Sequence, residues 1–119
     1  MTWTLCTSGT AIAKAGANAN STITASGTLL AGLSDEVEAI ICSITRVDVV
    51  TNYGSLNAQG KAILGNIASS MIAQNIVGYN PDSIGRGTAT LILNNLENQI
   101  RRGISLVEND KIKTYLSIT

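Results

Sequence analysis

The sequence predicts an all-α protein, a small antiparallel bundle of three to four helices that follows an extended, non-helical N-terminal arm. After Asp35, apolar residues recur at three- and four-residue spacing in three long segments, which is the spacing of one helix face. Turn-forming residues separate these segments. With 119 residues, the chain has the length of one domain with one modest core.

The predicted arm covers residues 1–34, the bundle residues 35–110, and a short C-terminal helix or tail residues 111–119. Lys14 is the only charged side chain before Asp35, and Gly, Ala, Ser and Thr dominate this stretch. Disordered tails combine high charge with low hydrophobicity, and the arm has no excess of charge. We therefore expect an extended segment that is sheltered by a neighbouring polypeptide. A flexible tether of the Gly/Ser type is the alternative.

The first bundle helix is predicted to begin at Ser34, which is a good N-cap residue. Acidic residues follow directly and suit the positive end of a helix dipole. The helix should end near Asn52-Tyr53-Gly54, and a strand over residues 44–50 is the competing prediction. Its predicted apolar stripe consists of Val37, Ile40, Ile41, Ile44 and Val47.

The second helix is predicted over residues 57–79, before the strong breaker at Gly78 to Ser83. Its apolar face consists of Ile63, Leu64, Ile67, Met71, Ile72 and Ile76.

The third helix is predicted from Ser83 or Thr88 to Val107, with an exposed ion pair between Glu97 and Arg101. A last short helix or strand should cover residues 111–117. The buried stripe of the third helix consists of Leu93, Leu96, Ile100, Ile104 and Val107.

Catalytic and metal-binding chemistry finds little support in this sequence. The chain has no histidine, which removes the commonest catalytic base and metal ligand. Gly54 to Ala62 resembles a phosphate-binding loop, but its glycines are spaced by one residue too many and Ala62 replaces the hydroxyl residue. The two cysteines, Cys6 and Cys42, cannot complete a zinc site alone, and Cys42 is expected to be a small buried hydrophobe. We expect no enzymatic activity and no cofactor.

The charge pattern indicates how the surface is used. Charged residues make up 13% of the chain and balance to zero, which argues against electrostatic binding of nucleic acid. Low charge also promotes association, so we expect faces that are covered by copies of the chain or by a partner. A small monomer with an uncharged polar coat is the alternative. No apolar run reaches the roughly 18 residues that span a bilayer, so no membrane partner is expected.

Six segments follow one another along the chain in a characteristic order: Trp3 to Gly9, Ala13 to Asn20, Ser34 to Ala39, Arg46 to Tyr53, Tyr79 to Arg86 and Asp110 to Leu116. This ordered series resembles the head-to-tail connector (adaptor) proteins of tailed bacteriophages. The resemblance covers nearly the whole chain.

The resemblance implies a structural virion protein that forms a ring, usually of twelve subunits, beneath the portal protein. Such a ring extends the DNA channel and docks a tail or stopper protein, and DNA passes through it without sequence-specific binding. The protein would then lie in the virion neck after assembly in the host cytoplasm. A tail-completion or capsid-decorating virion protein and a non-viral helical binding module are the alternatives.

Interface and channel residues are predicted on the same basis. Arg86, Arg101 and Arg102 are the candidates for charges that face the channel. The candidates for contact with the portal or with another subunit are Trp3, Leu5, Lys14, Leu29, Leu30, Tyr115, Leu116 and Ile118.

Overall fold

A computed structural model of the chain describes residues 3–16, 27–79, 86–115 and 118, and the regular structure in these ranges is helical throughout. This confirms the predicted all-α bundle. The described elements are α1 (Ser8–Ala15), α2 (Gly27–Thr45), a 3-10 turn (Tyr53–Ser55), α3 (Ala58–Tyr79), α4 (Arg86–Glu108) and α5 (Asp110–Tyr115).

Helix α3 is the centre of the fold, since α1, α2 and α4 all pack against it. A helix contacted on several sides needs apolar or small residues around most of its circumference, and α3 has them. Even two serines, Ser69 and Ser70, are fully buried on it. The buried apolar side chains of α3 are Leu64, Ile67, Ala68, Ile72, Ala73, Ile76 and Val77.

Helices α3 and α4 approach each other closely at Gly103. A Cβ atom at this position would lie 2.3 Å from Ile67 Cγ1 and 2.7 Å from Ile67 Cδ1. The absence of a side chain at Gly103 therefore lets Ile67 pack directly against the backbone of α4. On the buried face of α4, Leu96, Ile100 and Val107 point into the bundle as predicted, while Leu93 and Ile104 are half-buried.

The prediction of an extended, non-helical arm is wrong for residues 8–15 and 27–34, which are helical, whereas residues 3–7 are non-helical. Residues 8–15 form α1, which is capped by the Thr7 side chain, and α2 begins at Gly27 instead of Ser34. Two alanines of α1, Ala11 and Ala15, are fully buried, because small side chains allow a helix to lie close to its neighbour. The boundary predicted between residues 34 and 35 therefore falls inside a helix. Residues 17–26 lie outside the described part of the chain.

Ser34 is buried within α2 and is not its N-cap. It continues a buried stripe that starts one turn upstream at Leu30 and runs through Val37 and Ile41. Ile40, which the sequence placed in this stripe, lies on the outward face and is 48% exposed. Because Ser34 is polar, the sequence pattern did not show that the buried stripe continues from Leu30 to Val37.

The competing strand over residues 44–50 is also wrong, and so is the predicted helix end near Asn52-Tyr53-Gly54. Helix α2 runs to Thr45, and Arg46 leaves it with a positive φ of 59°. The chain then turns at Asp48, whose carboxylate accepts hydrogen bonds from Thr51 N (3.1 Å) and Thr51 Oγ1 (2.8 Å). These hydrogen bonds lower the pKa of Asp48.

Helices α3 and α5 match their predicted positions. Asn57 caps α3 by accepting a hydrogen bond from Gly60 N at 2.7 Å. Residues 110–115 are helical, as one of the two predictions for this segment stated, and residues 80–85, 116 and 117 lie outside the described ranges.

The predicted Glu97–Arg101 ion pair is present at 3.1 Å, and Gln74 Nε2 also donates to Glu97 at 2.9 Å. The hydrogen bond from Gln74 is the main reason that the pKa of Glu97 is lowered.

Candidate functional site

The segment that precedes α1 is fastened to α2 by one buried carboxylate. Glu38 is only 4% exposed, and its Oε2 accepts hydrogen bonds from Thr4 N at 2.8 Å and Leu5 N at 2.9 Å. One turn earlier on α2, Ser34 Oγ accepts a hydrogen bond from Trp3 N at 3.0 Å. Glu38 Oε1 is buried without a hydrogen-bond partner among the described residues. The backbone amides of Thr4 and Leu5 have no helical partner, and the Glu38 carboxylate accepts their hydrogen bonds instead.

The same segment crosses α3 at Gly65. A Cβ atom there would lie 2.9 Å from the carbonyl oxygen of Leu5, closer than real Cβ atoms approach. Leu5 is 3% exposed and belongs to the main core. Gly65 therefore permits the contact that buries Leu5.

Cys6 lies in this segment beside Glu38. Burial and, to a smaller extent, the negative charge of Glu38 raise the pKa of the Cys6 thiol to about 11. The thiolate is the nucleophilic form of cysteine, so Cys6 is a poor nucleophile near neutral pH. Cys42 is half-buried and its Sγ lies 3.8 Å from Asp48 Oδ1, so it is less enclosed than the sequence predicted.

Lys14 fixes α1 to α3. Its ammonium group donates hydrogen bonds to the carbonyl and side-chain oxygens of Asn66 and to Ser70 Oγ at 3.0 Å. Burial lowers the pKa of Lys14. The only charge of the predicted arm therefore serves contacts within the chain.

A concavity of about 460 Å³ lies between the N-terminal segment and α3. Lys61 stands at its edge with Nζ 5.2 Å from the centroid of the Tyr53 ring, within the range of a cation–π contact. The walls include Trp3, Cys6, Thr10, Lys14, Asn66 and Ser69. Cys6 is protonated near neutral pH, and the Lys14 ammonium already donates hydrogen bonds to Asn66 and Ser70. Neither side chain is therefore an activated nucleophile in this concavity.

A second concavity, of about 510 Å³, lies between the outward sides of α3 and α4. Small or apolar residues form most of its lining, and Arg102 is the charged residue in it. The lining consists of Ala62, Ile63, Asn66, Gln99, Arg102, Gly103 and Leu106.

The residues predicted to contact partners fall into two groups. Leu5, Leu30 and Ile118 are at most 4% exposed, so each contributes to the core of its own chain, and Trp3 is half-buried against that core. Leu29 and Tyr115 are 45% and 68% exposed and lie on the surface. Leu116 lies outside the described residues.

Of the residues predicted to face a channel, Arg101 and Arg102 are exposed on α4. Arg86 is the first residue of this helix.

Sequence reasoning missed some exposed apolar side chains. Leu91 is 71% exposed and Leu106 is 38% exposed, both on α4. The helical spacing could have identified Leu91 and Leu106 as exposed, since neither residue belongs to the buried stripe of that helix. Because an outward leucine is not unusual by itself, the spacing alone did not single these residues out.

Comparisons with models of protein families, with curated proteins and with solved structures found no match to this chain. In the described ranges, no helix combines the length and hydropathy that crossing a membrane requires. Those ranges also hold no cluster of three or more His, Cys, Asp or Glu residues placed to bind a metal ion.

Proposed function

We propose that this protein is a structural subunit of a homo-oligomeric ring, a head-to-tail connector adaptor that extends the DNA channel beneath a phage portal. The observation that carries the proposal is the pair of outward helix faces with large apolar side chains. Leu29 and Ile40 lie on α2, and Leu91 and Leu106 lie on α4. Both helices pack on α3 with their other sides, so the two outward faces are separate surfaces.

A ring subunit requires two different contact surfaces, because each copy meets one neighbour with one face and the other neighbour with another. Interfaces of this kind exclude charge from their centre and contain apolar side chains. The low charge of the chain and the exposed leucines and isoleucine agree with this requirement.

A channel for DNA must let phosphates pass without holding them. A protein that neutralises phosphates binds DNA in proportion to its basic contacts, and this chain has as many acidic as basic residues. On α4, the charge of Arg101 is balanced by Glu97. Such a balanced surface suits a conduit better than a binding site.

Light scattering coupled to size exclusion, with and without the portal protein, tests the proposal. We expect the chain to elute with the portal in a complex that adds about twelve copies of its 12.4 kDa. A 12.4 kDa monomer under both conditions would refute the ring.

Gold labelling of intact virions separates the proposal from its virion alternatives. A label at the neck supports the adaptor. A label over the capsid surface or at the distal tail would instead identify a decorating or tail-completion protein.

A further inference from the structure

We infer that the ring forms when an acidic ridge on α2 of one copy seats in a basic groove between α3 and α4 of the next copy. The acidic ridge is the outward surface of Leu29, Glu36 and Ile40. The basic groove is the second concavity described above, with Arg102 and Leu106 at its α4 side. This inference rests on the proposed function and assigns the two faces that it requires.

The ridge combines apolar and negative side chains on one helix face. Leu29 and Ile40 lie about three turns apart, which returns both to the same side of α2. Glu36 lies between them and is exposed. Every charged residue of α2 is acidic, and Glu38 is buried, so the outward charge of this helix is purely negative.

The groove offers the complementary chemistry. Ala62 and Gly103 contribute little or no side chain to its lining, and Ile63 and Leu106 provide apolar walls. Arg102 is exposed at the edge and is the charged residue among those that line the groove. Such a groove favours an apolar side chain that is accompanied by a carboxylate.

The spacing of the two surfaces matches. Glu36 and Ile40 are one helical turn apart, and so are Arg102 and Leu106, which places about 6 Å between the members of each pair. Glu36 can therefore meet Arg102 while Ile40 packs against Leu106. The apolar contact supplies most of the affinity, and the charge pair fixes orientation and register.

The two surfaces consist of different residues, so the contact is heterologous and propagates from copy to copy until a ring closes. One consequence concerns the channel. Arg102 belongs to the subunit interface in this arrangement and not to the channel wall. Arg101, which is paired with Glu97, remains a candidate for the wall.

Charge reversal tests the inference. Glu36→Lys, Arg102→Glu and the double variant are compared with the unaltered chain by light scattering over a concentration series, without and with the portal protein. Each single reversal puts like charges together and should raise the concentration for half-assembly at least about tenfold. The double variant restores an opposite pair and should recover most of this loss. Both positions are exposed, so each variant should fold, and circular dichroism checks that it does.

Glu108→Lys is the matched control, because it reverses an exposed acidic residue of α4 that does not line the groove. It should assemble like the unaltered chain. If the unaltered chain assembles and the single reversals do so equally well, the inference is wrong while the ring stands. If the double variant fails to recover, the specific pairing of Glu36 with Arg102 is wrong. If the unaltered chain does not assemble even with the portal, the proposed function itself is wrong.

Discussion

At the scale of single residues, Glu38 is a buried charged side chain that holds the N-terminal segment by its hydrogen bonds. A buried carboxylate is costly unless it is hydrogen-bonded, and Glu38 compensates by accepting from two backbone amides of the N-terminal segment. Those amides have no helical partner because they precede α1. The carboxylate and the segment therefore stabilise each other.

Glu38→Ala should lower the free energy of unfolding by about 2–3 kcal/mol, because two buried or half-buried amides lose a charged acceptor. Glu38→Gln keeps one acceptor oxygen and should lose less. Urea denaturation at a concentration where the chain is monomeric measures both. The exposed Glu36→Ala on the same helix serves as the control and should change stability by less than about 0.5 kcal/mol. Equal effects at the two positions would contradict the role given to Glu38.

Cys6 provides a prediction about reactivity and pH. Its pKa of about 11, against an ordinary value of 9.0, should make alkylation at pH 8 about 100-fold slower in the folded Cys42→Ser variant than in urea. Because the pKa is raised in the folded state, the contribution of this thiol to stability is complete below pH 9 and is lost as the pH rises towards 11. Mass spectrometry of the alkylated protein gives the rates. Similar rates with and without urea would show that the thiol is not enclosed.

At the scale of elements, the contact between α3 and α4 depends on the missing side chain at Gly103. A glycine inside a helix is normally a disadvantage of about 1 kcal/mol relative to alanine. Here the disadvantage is offset because Ile67 occupies the space that a Cβ atom would take. The consequence is that the same substitution should have opposite effects at two glycines of this bundle.

Gly103→Ala should destabilise the fold by about 1–3 kcal/mol, since overpacking forces Ile67 from its position. Gly32→Ala on α2, where nothing lies within 4 Å of the added atom, should stabilise it by about 0.5–1 kcal/mol. Thermal denaturation measures both effects: the melting temperature should fall for Gly103→Ala and rise for Gly32→Ala. A stabilising Gly103→Ala would mean that the helices are not in close contact there.

At the scale of the whole molecule, one core includes residues from Leu5 to Ile118. The N-terminal residues are part of this core and not an appendage to it. Deletion of residues 1–16 should therefore lower the free energy of unfolding by more than about 3 kcal/mol, since loss of a buried leucine such as Leu5 alone costs about 2–5 kcal/mol. Urea denaturation followed by circular dichroism measures the loss. A truncated chain as stable as the full one would restore the idea of a separable arm.

The sequence predicted the parts of this fold that are encoded locally. Helices α3 and α4 have long apolar stripes, and Asn57 is a local cap, so their positions followed from spacing. The N-terminal structure depends on contacts between residues far apart in the chain, such as Glu38 with Leu5 and Lys14 with Ser70. Spacing within a short window contains no information about such pairs. For the same reason Leu5 and Leu30 were expected at an interface, although each packs within its own chain.

The hydrogen bond from Trp3 N to Ser34 Oγ has a practical consequence. Trp3 is the single tryptophan of the chain, and it is half-buried against the core. Its fluorescence is therefore an intrinsic reporter on the segment that Glu38 holds. Any partner, solvent condition or substitution that lifts this segment from α2 should move the emission maximum to longer wavelength, without any added dye.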